Sequence, residues 1–200
     1  MKTEQPDMSA KTYLHAERSI RDMRALRLSL QFALFITLLL FIACTSTKFS
    51  TIWKDETYQG RPEKILVINA FPNPANRRIF EDEFVKALKD RRIDAVMSYT
   101  IMPVPVVSDK DALAAKAKEI GADTVLINRP IGTTTRETAG FTNYEDLYIN
   151  TQIDVYDIKS NRLIFRATAE TWIRQDIPSS IHIKSYVKDV VQKLSRQELL

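Results

Sequence analysis

The sequence predicts an α/β (α+β) domain: a mixed sheet of about five strands in the element order β-α-β-α-β-β-β-α, with helices on one face or both and a hydrophobic helix ahead of it at the N-terminus. Three observations carry this reading. Between residues 64 and 128, apolar runs of strand length alternate with segments of helical period. Between 147 and 173, two long alternating runs are separated by Lys159-Ser160-Asn161-Arg162. From about Ser180 the apolar residues return to helical spacing.

Each element has its own signal. Lys64 to Ala70 (KILVINA) is a continuous apolar run, as expected of a central strand covered on both faces. Asn73-Pro74 punctuates the chain, and Pro74 suits the first turn of a helix, where a missing N–H costs nothing. Ile79, Phe80, Phe84, Ala87 and Leu88 then recur at helical spacing to about Lys89. Ile93 to Tyr99 reads as the second strand, and the connection Ile101 to Val107 is broken by Pro103 and Pro105. Ser108 or Asp109 can cap the Ala-rich helix that follows, with Gly121 as its C′ residue. Asp123 to Asn128 is the third strand. The two alternating runs, Leu147 to Ile158 and Leu163 to Ile173, form a hairpin with one covered and one wet face. Leu163, Phe165, Ala167 and Ala169 belong to the covered side. Ile183, Val187, Val190, Val191 and Leu194 give a C-terminal helix its apolar stripe. Right-handed crossovers lead to a strand order near 2-1-3-4-5.

The chain ahead of this domain divides into three parts. Residues 44 to 63 show no period and contain Gly60 and Pro62, so they read as a tether, on which Phe49, Trp53 and Tyr58 either dock on the domain or lie at a headgroup interface; docking is the expectation. Leu28 to Ala43 is uncharged, follows Arg24 and Arg27, and runs straight into Cys44. Sixteen residues are short for a membrane span, which needs about 20, and suit a signal-peptide core. Cleavage before Cys44 removes forty-three residues from Met1, long for a signal peptide, whereas a start at Met23 gives a segment of ordinary length. Residues 1 to 22 are therefore either a misassigned start or a disposable extension, and 23 to 43 the signal peptide.

Composition excludes several chemistries. One cysteine cannot form an intrachain disulfide or a multi-thiolate metal site, and two histidines cannot supply a three-histidine centre. No Gly-x-Ser-x-Gly elbow, phosphate loop, dinucleotide fingerprint or His-Glu-x-x-His helix is present. The formal charge of +4 falls to about +2 without residues 1 to 43, which leave 23 Lys/Arg against 21 Asp/Glu and no basic stripe for nucleic acid. No cofactor or metal is expected.

Phe41-Ile42-Ala43-Cys44 resembles the lipobox of bacterial lipoprotein signals. The resemblance implies diacylglycerol on the Cys44 thiol, cleavage between Ala43 and Cys44, acylation of the new N-terminus, and a membrane attachment through that lipid. An uncleaved single-span anchor is the alternative. Thr45-Ser46 in place of an aspartate after the cysteine implies the outer membrane, facing the periplasm. The element order over residues 64 to 198, with phrases such as Ala114 to Leu126, resembles the domain of the curli-secretion lipoproteins, the penicillin-binding-protein activator lipoproteins and the amino-terminal domain of TolB. Ser50 to Asp55 and Arg78 to Phe84 resemble small bacterial lipoproteins of unassigned function. These likenesses imply an envelope binding or assembly module.

Candidate site residues follow from the hairpin. Its wet face carries Tyr148, Asp154, Tyr156, Arg166, Glu170, Trp172 and Arg174, and aromatic side chains with arginine are enriched in interfaces. This is the candidate surface for an envelope protein or a second copy of the chain. The segment Arg129 to Tyr144, with Arg136 and Phe141, reads as a long flexible loop or as the extended end of a hairpin. Glu145, Asp146, Asp154, Asp157 and Glu170 offer the carboxylates a hydrolase or sugar-binding domain would need, although solvated sheet-face charge accounts for them. A subunit of a secretion or transport complex is a further reading. Glu81, Asp82 and Glu83 suit the positive end of a helix dipole, and His182, near Tyr186, is expected at a cap or on the surface.

Overall fold

A computed structural model describes residues 47–102, 109–138, 144–174 and 177–200. The expected signal peptide, Ala43, Cys44 and Phe141 lie outside the described residues. Six strands, β1 (Thr47–Lys54), β2 (Lys64–Asn69), β3 (Asp94–Met97), β4 (Thr124–Thr138), β5 (Tyr144–Asp157) and β6 (Arg162–Ile173), form one sheet in the order β1-β6-β5-β4-β2-β3. Three helices accompany it: α1 (Pro74–Lys89), α2 (Lys110–Glu119) and α3 (Ser179–Arg196). The order is the expected 2-1-3-4-5 with an additional strand on the far edge. Strand β2 runs parallel to β3 and β4, and the remaining pairs are antiparallel.

The continuous apolar run of β2 has the cause expected of it. Ile65 and Val67 face α1 and α3 in one core, while Leu66 and Ile68 face Leu113 and Ala117 of α2 in another. Asn73 caps α1 by accepting from the N–H groups of Ala75 and Asn76 at 2.9 and 3.1 Å, with Pro74 at the first helical position. Asp109 caps α2 through Ala112 N at 3.0 Å. Gly121 ends that helix at φ 70°, and the bonds Gly121 N to Lys118 O and Ala122 N to Ala117 O close a Schellman motif.

The antiparallel half departs from expectation where the chain bulges. Strand β4 continues to Thr138, so of the two readings of Arg129 to Tyr144 the extended end of a hairpin holds and the long loop does not; residues 139–143 lie outside the described ones. Pro130 and Gly132 bracket a register shift at Ile131, and Gly132 adopts φ 151°. Both residues are those a bulge selects, and both disguise the strand in the sequence. A second shift at the turn end of β6 places Ile164 in the core, 1% exposed, and sets Leu163 opposite Tyr156. The expected placement of Leu163 on the covered side is thereby corrected.

The expected tether is also corrected, because Thr47–Lys54 is an edge strand paired with β6. No alternation betrays it, since a bulge at Ser50 interrupts the register and most of its side chains are exposed. Phe49 and Tyr58 dock on the core as expected, whereas Trp53 stays 47% exposed. Thr47 ties this edge to Thr171 at 3.3 Å. Beneath it Asp189 of α3 has a buried Oδ2 without a partner. Desolvation raises the Asp189 carboxyl above its ordinary value, opposed more weakly by the Thr47 hydroxyl and Lys188.

The acidic cluster of α1 does not serve the helix dipole, since no acid occupies the first turn. Glu81 is 0% exposed and accepts from Asn69 N (3.0 Å), Arg77 Nε (3.0 Å), Ser98 Oγ (2.7 Å) and Tyr99 N (2.9 Å). Arg77, 5% exposed, continues to Ser98 Oγ and to the Met102 carbonyl.

Two outcomes follow from this packing. Arg77→Ala leaves Glu81 charged and buried without its cation, so a loss of about 3–5 kcal/mol in urea unfolding is expected. For Asp189, the raised carboxyl means that the native state holds its proton at pH values where the unfolded chain has released it. Its contribution is therefore lost as pH rises above the ordinary value of 3.8. Asp189→Asn is accordingly expected to raise the unfolding midpoint more at pH 7 than at pH 4.

Candidate functional site

The two faces of the sheet are covered unequally. Helices α1 and α3 span one face, with residues of β2, β5 and β6 in their core. The ten-residue α2 packs on the other over β2 and the first half of β4. Beyond it, side chains of β4, β5, β6 and β1 form an outer face that no described helix blankets. Period-two geometry puts Tyr148, Asp154, Arg166, Glu170 and Trp172 on this face together, as expected from their spacing. The structure then separates them into two groups.

Nearer the 138/144 end, Tyr148 stands directly opposite Trp172. Arg136 lies over the Tyr148 ring at 4.5 Å and forks onto Glu170 at 2.8 and 2.6 Å. The Trp172 indole N–H donates to Asp146 at 2.9 Å, and Arg174 lies 6.0 Å from the Trp172 ring. Trp172 remains 37% exposed. The charges are paired along the surface while aromatic area stays open. Arg136, expected in a flexible loop, is held on β4.

Toward the 157/162 turn, the wet-face expectation fails at Asp154, which is 0% exposed. Its carboxylate accepts from Arg166 Nε at 2.6 Å and Nη2 at 3.0 Å, from Gln152 Nε2 at 2.9 and 3.0 Å, and from Arg129 Nη2. Hydrogen bonding to Asp154 raises the Arg166 guanidinium further into its charged range. A buried carboxylate is tolerated because three side chains replace its water. Trp53 stands opposite Arg166 on β1, and Tyr156 lies on the same side, with Lys110 5.4 Å from its ring.

The remaining hairpin carboxylates are engaged rather than converging. Asp157 is buried and accepts from Ser160 N at 2.7 Å and Ser160 Oγ at 2.6 Å; Asp146 and Glu170 have the partners given above, and Glu145 is exposed. Solvated charge describes Glu145 but not Asp154 or Asp157. The paired-carboxylate arrangement of a glycoside hydrolase, two free groups facing one cleft, is not formed by these residues.

His182 is buried rather than superficial, at 8% exposure, and its Nε2 meets the Arg174 carbonyl at 3.0 Å. It borders an apolar recess of about 90 Å³ with Phe71, Phe80, Ile183 and Tyr186. That is smaller than the roughly 150 Å³ that admits benzene. The Tyr186 hydroxyl donates to Asn128 Oδ1 at 2.6 Å and meets Thr151 Oγ1 at 2.9 Å. Burial pushes this phenol above its usual value, so it is a fixed neutral strut. Among the described residues, no group of three or more His, Cys, Asp or Glu could hold a metal ion, and no helix is long and apolar enough to cross a membrane.

Alternation along β5 places Gln152 on this face, whereas nothing in the sequence assigns Arg129 and Trp53 to it. Trp53 falls in the expected tether, and Arg129 opens the segment that reads either as a loop or as the extended end of a hairpin. The run Thr133-Thr134-Thr135, rich in β-branched residues, was the available signal for the longer β4.

No protein-family model matches the chain, and no curated protein matches it. Among solved structures it is similar to the PelC dodecamer protein from Paraburkholderia phytofirmans, with a TM-score of 0.48 and 15% identity, over 74% of this chain and 95% of that one. It is also similar to a lipoprotein from Neisseria meningitidis (TM-score 0.46, 14% identity, 68% of this chain, 99% of that one). A minor lipoprotein from Acinetobacter baumannii aligns at a TM-score of 0.35 and 11% identity, over 68% and 95% of the two chains.

The two ion-pair groups are expected to differ in weight. Asp154→Asn removes the charge shared by two arginines, which can partly reach water, and is expected to cost about 2–3 kcal/mol in urea unfolding. Glu170→Gln, at a pair whose arginine is half exposed, is expected to cost less, about 1 kcal/mol at most.

Proposed function

We propose that this chain is a lipid-anchored protein of the bacterial cell envelope that acts by binding, and that the outer sheet face around Tyr148, Glu170 and Trp172 receives an envelope protein. The lipid part is supported by Leu28 to Ala43 running into Cys44. Strand β1 begins at Thr47, so the chain from Cys44 to the sheet spans at most about 11 Å. A lipid on Cys44 would therefore hold the sheet's Thr47 end close to the bilayer. Thr47 stands opposite Thr171, adjacent to Trp172, which puts the candidate face at that same end of the sheet.

The observation that carries the binding role is the Tyr148–Trp172 pair, fixed by Arg136, Glu170 and Asp146 on a face that no described helix covers. Neutralised charges lower the desolvation cost of contact, and pre-ordered aromatic rings lower its entropic cost. The resemblance of the element order to that of the curli-secretion and penicillin-binding-protein activator lipoproteins, and Thr45-Ser46 in place of an aspartate after Cys44, are the grounds for proposing an assembly role at the periplasmic side of the outer membrane. A second reading, a self-associating subunit of a secretion or transport complex, is favoured by edge strand β1, where Ile52 and Trp53 are 40% and 47% exposed.

Photoreactive residues at Tyr148 and Trp172 in cells are expected to give the same protein adduct, lost with Arg136→Glu, while a probe at exposed Lys184 on α3 gives none. Adducts from Lys184 alone would overturn the surface assignment, and adducts between two copies from a probe at Ile52 would select the self-associating reading. For the anchor, Cys44→Ala is expected to abolish a diacylglycerol mass increment and cleavage at Ala43. An unmodified Cys44 in a chain intact from Met1 or Met23 would instead establish the uncleaved span.

A further inference from the structure

The outer face carries a second feature that the proposed protein surface does not use. Under the start of α2 lies a cavity of about 270 Å³ between that helix and strands β4, β5 and β6. Its floor is apolar, formed by Leu113, Ile127 and Tyr156 among others, and its polar rim holds Lys110, Arg129 and Arg166. No acidic side chain lines it. Among the described residues the carboxylate paired with Arg129 and Arg166 is that of Asp154, fully buried behind them.

Three cations against one carboxylate leave a surplus of two positive charges around a cavity with low-dielectric walls. Asp154 takes two nitrogens of Arg166 and one of Arg129, so the five-donor forks are only partly consumed. The same bonds fix both guanidinium groups in place, which removes much of the ordering cost a ligand would otherwise bear. Lys110 makes no bond to Asp154 and instead stands 5.4 Å from the Tyr156 ring, at the rim. A purely structural ion pair needs one arginine for one aspartate. The second arginine and the lysine add charge repulsion with no compensating acid in the lining.

We propose that this cavity binds a small organic oxyanion, a phosphate or carboxylate head held by Lys110, Arg129 and Arg166, with a compact apolar body resting on Leu113, Ile127 and Tyr156. Asp154 is the positioning residue. The cavity is at the lower end of the size of small-molecule pockets, about 300 Å³ upward, which limits the ligand to roughly a single ring with its anionic group.

The test uses the full chain in detergent micelles, titrated calorimetrically with phenyl phosphate, benzoate, inorganic phosphate and benzyl alcohol. Phenyl phosphate is expected to bind saturably, about tenfold more tightly than inorganic phosphate, and benzyl alcohol not measurably. Lys110→Ala, which leaves the Asp154 cluster intact, is expected to weaken phenyl phosphate binding by about tenfold, and Lys184→Ala, an exposed cation outside the cavity, to leave it unchanged. Absence of saturable binding by the folded protein, or binding indifferent to Lys110→Ala, would overturn the site. Equal affinity for inorganic phosphate would overturn the apolar half of the recognition, and binding of phosphate but not benzoate would assign the head group.

Discussion

The carboxylate of Glu81 holds the first half of this domain together. It sits in the middle of α1 and has no access to water, so its charge is tolerable only because four donors from three parts of the chain converge on it. Those donors are the last residue of β2, the arginine one turn earlier in α1, and the short 3₁₀ turn after β3. The β2-α1-β3 crossover is thus locked at the point where its strands end. Arg77 extends the lock to Met102, where the chain leaves toward α2. Packing alone would hold α1 against the sheet; the buried pair fixes its register and rotation.

From that fixed crossover the unequal covering of the sheet follows. Strand β2 is central and covered twice, α3 extends the cover on one side across β5 and β6, and α2 is too short to match it on the other. The outer face therefore had to be made compatible with water along its length. It is so by two different devices: exposed, mutually paired charges around Tyr148 and Trp172, and a buried aspartate screened by arginines around Asp154. The first leaves an open aromatic surface suited to a protein, the second a rimmed cavity with surplus positive charge. Their separation along the same strands lets one face carry two recognition chemistries.

Much of this was legible in the sequence, and the failures share a physical cause. Helix α1 announced itself by period and cap, α2 by alanine content and caps, α3 by period, and β2 by an apolar run covered on both sides. Strand β1 and the outer half of β4 did not, because their bulges at Ser50 and Pro130–Gly132 break the period of two. A bulge is a tertiary necessity, since it accommodates sheet twist and edge geometry, and its signature in one strand resembles that of a loop. Asp154 was misread for a related reason. Alternation assigns a residue to a face, but whether that face is wet depends on what the neighbouring strands place beside it. Arg129 comes from one neighbour, Arg166 from the other, twenty-five and twelve residues away.

By itself the sequence determined the order of elements, the strand neighbours of the five principal strands, and the sharp junction of an apolar segment with Cys44, because these depend on local period, capping and hydropathy. Only the tertiary structure decided that the expected tether is an edge strand, that Glu81 and Asp154 are buried hubs rather than surface charge, and that the outer face divides into an open aromatic surface and a cationic cavity. Those outcomes depend on which strands lie side by side and on what is left uncovered, and burial of a charge is a property of its partners rather than of its own position in the chain.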